Sequence, residues 1–443
     1  MTQVRAVPTK TKQALPWVGH PYTEGVLANG LRVIIVENHA VPVLTFQTWF
    51  NVGSKHEKLD PQIGATGIAH LFEHMMFRGT ETVKDGEFDS ALFSAGATDQ
   101  NATTWVDRTN YYQSVPKHQL DLVLRLESDR LANLRVADHF ETERGAVLGE
   151  LNMVLDDPES VAYEKLYESA YQVHPYRFST IGTEREIKSF TAQKAIYFYR
   201  KYYSPNNACI LIVGDVDAAD ALYKIEKYYG NIPRAEIEWE NGPAEPRHEA
   251  EIHQEFEHAQ LAQEKLLLAY HAPSVTAADF PALWIAQSVL SLGEGSVLQR
   301  LWIDSGSATG LQGDLNQFKD PGLLTLAADI QPGHEASQLV SVLDLALAQI
   351  QSGALSIELE RARNQLLLQI FSQWDDNASL ASFMGEYYIA AGDAAFGFSL
   401  VEKLKKVETK EVLIVMKKYL VSANRTVLVG KPPVESEALE GRA

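Results

Sequence analysis

Gly64-Ala65-Thr66-Gly67-Ile68-Ala69-His70-Leu71-Phe72-Glu73-His74-Met75-Met76-Phe77 is the stretch from which the rest of this chain is read. Ile68, Leu71, Phe72 and Met75 recur at three- and four-residue spacings, the period of a helix with one apolar face. Within that helix His70 and His74 lie one turn apart, so both imidazoles leave the same side and can reach one metal ion. Glu73 stands beside them, within reach of a water at such an ion.

The spacing His-x-x-Glu-His inverts the His-Glu-x-x-His helix of zinc peptidases. In a chain with 13 histidines the bare pattern also fits a pair of surface histidines. Its surroundings favour the metal. Ile68, Leu71, Phe72, Met75, Met76 and Phe77 form a dense apolar stretch, where two His and a Glu are costly to bury without a shared partner. Zinc held by two His needs a third protein ligand and an open position. The ion lowers the pKa of its water from 15.7 to roughly 7 and polarises a peptide carbonyl. Glu73 would take that water's proton and pass it to the leaving amine.

Upstream, residues 31–37 and 43–52 read as strands, bounded by Asn29-Gly30 and a turn at Pro42. Downstream, 97–105 and 109–115 read as strands, and 117–134 and 142–155 as helices, the second stopped by Asp157-Pro158. A buried strand follows at 207–213. Composition then shifts: Pro233, Pro243 and Pro246 lie among Glu236, Glu238, Glu240, Glu245, Glu249 and Glu251, a solvated linker. The second half repeats the style of the first, with strands at 265–270 and 323–330 and helices at 337–351 and 358–372. It also repeats its ending. Lys201-Tyr202, Asn207 and Val213-Gly214 are echoed by Lys418-Tyr419, Asn424 and Val429-Gly430. The expected fold is therefore α+β, with two homologous domains, each a mixed or antiparallel sheet packed with several helices. The expected division is an N-terminal extension at 1–20, a metal-bearing domain at 21–232, an acidic linker at 233–257 and a second domain without that site at 258–443.

The formal net charge of −19 argues against nucleic acid, since a phosphate backbone needs a surplus of Lys and Arg on some face. No apolar stretch is long enough to cross a bilayer, so no membrane role is expected. The single cysteine, Cys209, excludes an internal disulfide and a Cys-based zinc cluster, and reads as a buried, inert thiol. With no apolar h-region near the N-terminus the expected compartment is the cytoplasm, with periplasm and mitochondrial matrix left open.

From Gly64 through Phe77 to Arg78-Gly79-Thr80 the sequence resembles the signature of the pitrilysin / mitochondrial processing peptidase family, the inverzincin metallopeptidases. The resemblance extends upstream through Asn29-Gly30-Leu31-Arg32-Val33 and Gly53-Ser54. Downstream it takes in Asn101-Ala102-Thr103-Thr104, Asp107, Thr109, Tyr111, Glu143-Arg144, Val147, Glu150, Asp157-Pro158, His174-Pro175-Tyr176 and Ile181-Gly182-Thr183. It implies one Zn2+ per chain, with His70, His74 and Glu150 as ligands and Glu73 as the general base. Glu143, on the same helix face as Glu150, is implied to fix a ligand's orientation. Asn101 and Ala102 match the strand that takes up the substrate backbone as an added strand. Without the resemblance Glu143 and Glu150 read as ordinary exposed carboxylates, and Asn101 as a turn residue.

The same resemblance implies half of a clamshell, since short members of this length pair to close a chamber. In self-sufficient members the second half supplies an Arg and a Tyr to the substrate. Here those positions fall on Gly306 and Gly313, which supply neither a cation nor a phenol. The expected function is a zinc metalloendopeptidase that hydrolyses unfolded oligopeptides in a chamber closed with a partner. That partner is expected to be a paralogous subunit carrying the Arg and Tyr, with a homodimer as second choice. The alternative is a non-catalytic core subunit of the same family. Relatives of that kind commonly lose ligands or the base, whereas His70, Glu73, His74 and Glu150 are all present here.

Overall fold

Two mixed sheets, each covered by helices, organise the chain in a computed structural model that describes residues 13–240 and 242–433. Residues 1–12 of the extension expected at 1–20 lie outside the described residues. Gln13–Ala14 already forms a short strand, β1, paired with β2.

The first unit takes in residues up to Leu151, Phe178–Pro243 and Ile370–Leu400. Its strands are β1, β2 (Pro21–Val26), β3 (Arg32–Glu37), β4 (Val43–Phe50), β5 (Thr98–Thr104), β6 (Thr109–Pro116) and β7 (Ala208–Gly214), in the order β1-β2-β3-β7-β4-β6-β5. Among the described residues only β3 and β7 of this sheet run parallel. β7, Ala-Cys-Ile-Leu-Ile-Val-Gly, is buried along its whole length, as expected of a central strand covered on both faces. Cys209 is fully buried there, and burial pushes its thiol well above the ordinary range.

The second unit comprises Asn152–Arg177, Ala244–Gln369 and the chain from Val401. Its strands are β8 (Ile252–Glu257), β9 (Lys265–His271), β10 (Ala308–Leu315), β11 (Leu323–Ile330) and β12 (Arg425–Lys431), in the order β10-β11-β9-β12-β8. Among the described residues only β12 and β8 of this sheet run parallel. Strand for strand, β8-β12-β9-β11-β10 has the connectivity of β3-β7-β4-β6-β5, so the repeat seen at the ends of the two halves extends through both sheets.

The contiguous division at the linker is not how these units are built. The helix Asn377–Ala391, late in the chain, packs on β4 and β7 of the first sheet, and the early helix Pro158–Ala170 packs on β9 and β12 of the second. Central strands apolar on both faces must be covered on both, and these helices supply the cover. Gly385 is there because of this packing, since a Cβ would lie 2.0 Å from the Trp49 ring. The fully buried Gln47 also finds its partners here, Ala378 O at 3.3 Å and Ser382 Oγ at 3.1 Å. The Asp157-Pro158 pair, expected as a stop, also starts the next helix. Asp157 accepts from Ser160 N at 2.8 Å and Pro158 takes the first helical position. In the linker, residues 242–251 carry no helix or strand, and its last six become the edge strand β8.

The repeated ending has a physical content. Lys201 Nζ and Tyr202 OH both lie 2.8 Å from Asp60 Oδ2, and Asn207 Nδ2 donates to Tyr202 O at 2.9 Å. In the second unit Lys418 and Tyr419 meet Asp279 at 2.5 and 2.9 Å, and Asn424 donates to Tyr419 O at 2.8 Å. Burial resists ionisation of Asp60, but Lys201, Tyr202 and the Gln62 amide together hold its carboxyl below the usual range. Asp60→Asn is expected to destabilise the protein by roughly 3 kcal/mol at neutral pH, because it strands Lys201. Asp279→Asn should cost about 1 kcal/mol or less, since its pair is far more exposed. The folded Asp60 pKa lies below the unfolded one. The wild-type advantage is therefore full above about pH 4 and lost as pH falls through the folded value. Chemical denaturation of both variants between pH 3 and 7 checks this; an Asp60 gap that does not narrow in acid would refute it.

Candidate metal centre

The helix Ile68–Met75 is held from three sides before its histidines do anything. Gly67 precedes it at φ +99° and gives it no side-chain cap. Glu57 takes that role, accepting from Gly67 N at 2.8 Å and Ala69 N at 2.6 Å. Burial pushes the Glu57 carboxyl up to about 8, against the pull of those two amides. Gly67 also passes close to Gly182: a Cβ at Gly67 would lie 2.4 Å from Ile181 O, and one at Gly182 2.4 Å from Thr66 O. Beneath the helix Phe72 packs on Phe198, Tyr199 and Tyr203, with ring centroids at 5.6, 5.6 and 4.8 Å. Tyr111 OH donates to Phe72 O at 3.2 Å.

On the other side the rings of His70 and His74 stand edge to face, 4.9 Å apart. Opposite them runs the helix Val136–Asp156, whose buried stripe is Val136, Phe140, Glu143, Val147 and Leu151. Glu150 Oε2 lies 3.6 Å from His70 Nε2 and 3.2 Å from His74 Nε2. His74 Nδ1 faces Glu143 Oε2 at 3.7 Å, so its two ring nitrogens look towards two different carboxylates. Glu143 is 2% exposed, and Arg78 Nε donates to it at 2.6 Å. That bond compensates its buried charge and fixes its orientation. Burial, with the nearby His74, brings the His70 pKa down to about 4, so its ring is neutral at physiological pH.

These residues fit a divalent metal. One ligand atom each from His70, His74 and Glu150 lie within 4.8 Å of one another. Two imidazoles and one carboxylate are a zinc donor set that leaves a fourth position open. The Nδ1 of His70 is buried and has no hydrogen-bond partner among the described residues, and its Nε2 is turned to the Glu150 carboxylate at 3.6 Å, where an ion would bridge the two. Glu73 is outside the ligand set. Burial raises its carboxyl above the ordinary range, with Thr104, His74 and Arg108 opposing and Glu150 adding to the rise.

Asn101 and Ala102 lie on β5, which packs against the motif helix and pairs, among the described residues, only with β6. Asn101 is exposed, Ala102 is buried, and Asn101 Oδ1 accepts from Ala102 N at 2.8 Å. A bulge at Asp99, φ +56°, interrupts the register just before them. Sequence reasoning assigned no role to Glu57, Arg78, Thr104 or Arg108. Arg78 lay inside the quoted signature, but only the fold shows that it reaches Glu143. Arg108 donates to Thr103 O at 3.1 Å and to Glu386 at 2.6 Å.

In the second unit Gly306 sits at φ +79° ahead of β10, with open space around it. Gly313, on β10, faces the helix Phe280–Ser291, and a Cβ there would lie 1.9 Å from Ser291 Oγ. A tyrosine at 313 has no room in this packing.

Glu143→Gln should weaken zinc binding roughly 10- to 100-fold with the fold retained, because it removes the carboxylate behind His74. Competition against a chromogenic chelator measures this; unchanged affinity would mean that Glu143 serves only Arg78.

Residues 32–184 match the model of the insulinase family, peptidase family M16, and residues 189–366 match that of the peptidase M16 inactive domain. The second match falls on the half of the sequence that has no His-x-x-Glu-His. The zinc protease PqqE of Helicobacter pylori is 27% identical over 82% of this chain and 82% of its own length. A probable mitochondrial-processing peptidase subunit beta of Arabidopsis thaliana is 23% identical over 89% of this chain and 75% of its own. The crystal structure of a protease from Helicobacter pylori shares the fold, with a TM-score of 0.85, 24% identity, and coverage of 93% of this chain and 99% of that one. Two successive models of one family thus span both halves of the sequence, and the chain belongs to the M16, or pitrilysin, family as a short-chain member.

Proposed function

We propose that this chain is the zinc-bearing subunit of a metalloendopeptidase that cleaves unfolded oligopeptides in a chamber closed with a partner subunit. The observation that carries the reading is the convergence of His70, His74 and Glu150 beside a carboxyl that is not one of them, Glu73. Zinc in this site would polarise the scissile carbonyl and acidify water. The chain's own residues do the rest. Neutral His70 needs to lose no proton to offer its lone pair. Glu143 holds His74 in one ring orientation. Glu73, its carboxyl raised above the ordinary range by burial, takes a proton from the attacking water and returns it to the leaving nitrogen. The edge of β5, unpaired among the described residues, offers backbone N–H and C=O groups to an extended peptide, which selects for unfolded segments.

The partner is inferred from what this chain lacks. Gly306 and Gly313 supply no cation and no phenol where the resemblance expects them, and Ser291 leaves position 313 no space. The test is hydrolysis of an unfolded fluorogenic peptide by the purified zinc-loaded chain, alone and with a paralogue carrying the Arg and Tyr. Slow cleavage alone and strong stimulation by the paralogue are expected. Full activity of the chain alone would remove the heterodimer, and no cleavage of any peptide in either state would remove the peptidase.

A further inference from the structure

The second unit gathers a metal-type set of side chains of its own. His248 follows the acidic linker, His271 ends β9, and both rings reach the last residue of the helix Pro158–Ala170. His248 Nε2 lies 2.9 Å and His271 Nε2 2.8 Å from the carbonyl oxygen of Ala170. The two Nε2 atoms are 3.1 Å apart, with the rings almost perpendicular. Glu245 adds a carboxylate, and one ligand atom from each of Glu245, His248 and His271 lie within 4.8 Å of one another. The Glu245 carboxylate is itself fixed by the N–H groups of Gln172, Val173 and His174 at 2.6, 3.0 and 2.8 Å. His174 turns elsewhere, its Nε2 facing Asp320 at 3.5 Å.

Without an ion this convergence is poor chemistry. If both Nε2 atoms carry hydrogen, two donors crowd one carbonyl oxygen from nearly the same side. If one is bare, its lone pair faces that oxygen at hydrogen-bond distance, and the single remaining N–H is shared between the carbonyl and the bare nitrogen. A divalent cation reverses the sign, because three electron pairs then point at one centre. The end of a helix, where backbone carbonyls are unsatisfied and the dipole is negative, favours a cation further. Two imidazoles with oxygen donors suit zinc.

We propose that His248, His271, Glu245 and the Ala170 carbonyl form a second, structural zinc site, which pins the end of the acidic linker and of β9 to the C-terminus of the helix Pro158–Ala170. This proposal does not depend on the function assigned to the motif helix. The test uses the full chain carrying His70→Ala and His74→Ala, stripped with chelator and titrated with Zn2+, so that only the second site is read. One zinc per chain is expected in this background, and two in the wild type. Adding His248→Gln or His271→Gln should weaken the remaining zinc at least 100-fold, and Glu245→Gln roughly 10-fold, with circular dichroism unchanged. Co2+ in place of zinc should give visible absorption bands that disappear in the same variants. The proposal is overturned if the His70→Ala, His74→Ala chain binds no zinc, or if its zinc survives all three further substitutions.

Discussion

Replacing Glu73 with Gln is expected to lower peptide hydrolysis roughly 10³-fold while the zinc held by His70, His74 and Glu150 stays bound. General-base assistance contributes about 10²- to 10⁴-fold, and Gln keeps the shape of the side chain without a proton-accepting carboxylate. The geometry separates this from a structural effect. Glu73 is not in the ligand set, its neighbours Thr104 and Arg108 are polar, and a neutral amide removes a partly buried acid. Steady-state kinetics beside zinc quantification on the same preparation makes the test. A variant that turns over at the wild-type rate would take the base role from Glu73. A variant that loses this zinc would make Glu73 part of the metal's support instead.

His70→Ala is expected to weaken zinc at the motif site by roughly 10²- to 10³-fold, one ligand's share of a structural-type affinity, and to abolish hydrolysis with it. The apoprotein should still fold. His70 carries no charge at neutral pH and its Nδ1 has no partner among the described residues, so removing the ring forfeits packing but no hydrogen bond at that atom. Glu150→Gln should follow the same pattern more mildly, since Glu150 is half exposed and an amide oxygen remains as a weak ligand. Chelator competition with far-ultraviolet circular dichroism reads both quantities. If His70→Ala binds zinc at the motif site as tightly as the wild type, the ion is not held there.

Much of the site was legible in the sequence because its first part is local. A helix period places His70, Glu73 and His74 by arithmetic, and the apolar residues between them say which face is buried. The carboxylate that meets both imidazoles was legible only through resemblance. Glu150 and Glu143 are two of 58 acidic residues, and no spacing rule singles them out. What singles them out is that the helix Val136–Asp156 lies against the motif helix in the register that brings Glu150 to both imidazoles and Glu143 to the far nitrogen of His74. Glu57 was not legible at all. Its partners are two backbone N–H groups, and a backbone donor leaves no mark in the side-chain pattern.

The fold divides along the same line. Strand positions followed from β-branched runs and turns, and the echo of Lys201-Tyr202 and Asn207 in Lys418-Tyr419 and Asn424 marked a repeat that both sheets bear out. The exchange of the helices Pro158–Ala170 and Asn377–Ala391 between the units was decided by tertiary packing alone. Each half lays down strands that must be covered on both faces, and hydrophobic burial rewards any apolar helix that reaches them, whatever its place in the chain. The sequence by itself determined the local periods, the placing of two imidazoles and a carboxylate on one helix, and the repeat. The tertiary structure decided which distant carboxylates meet those imidazoles and which helices cover which sheet. Side-chain periodicity is a property of neighbours along the chain, whereas a ligand set and a core are made of neighbours in space.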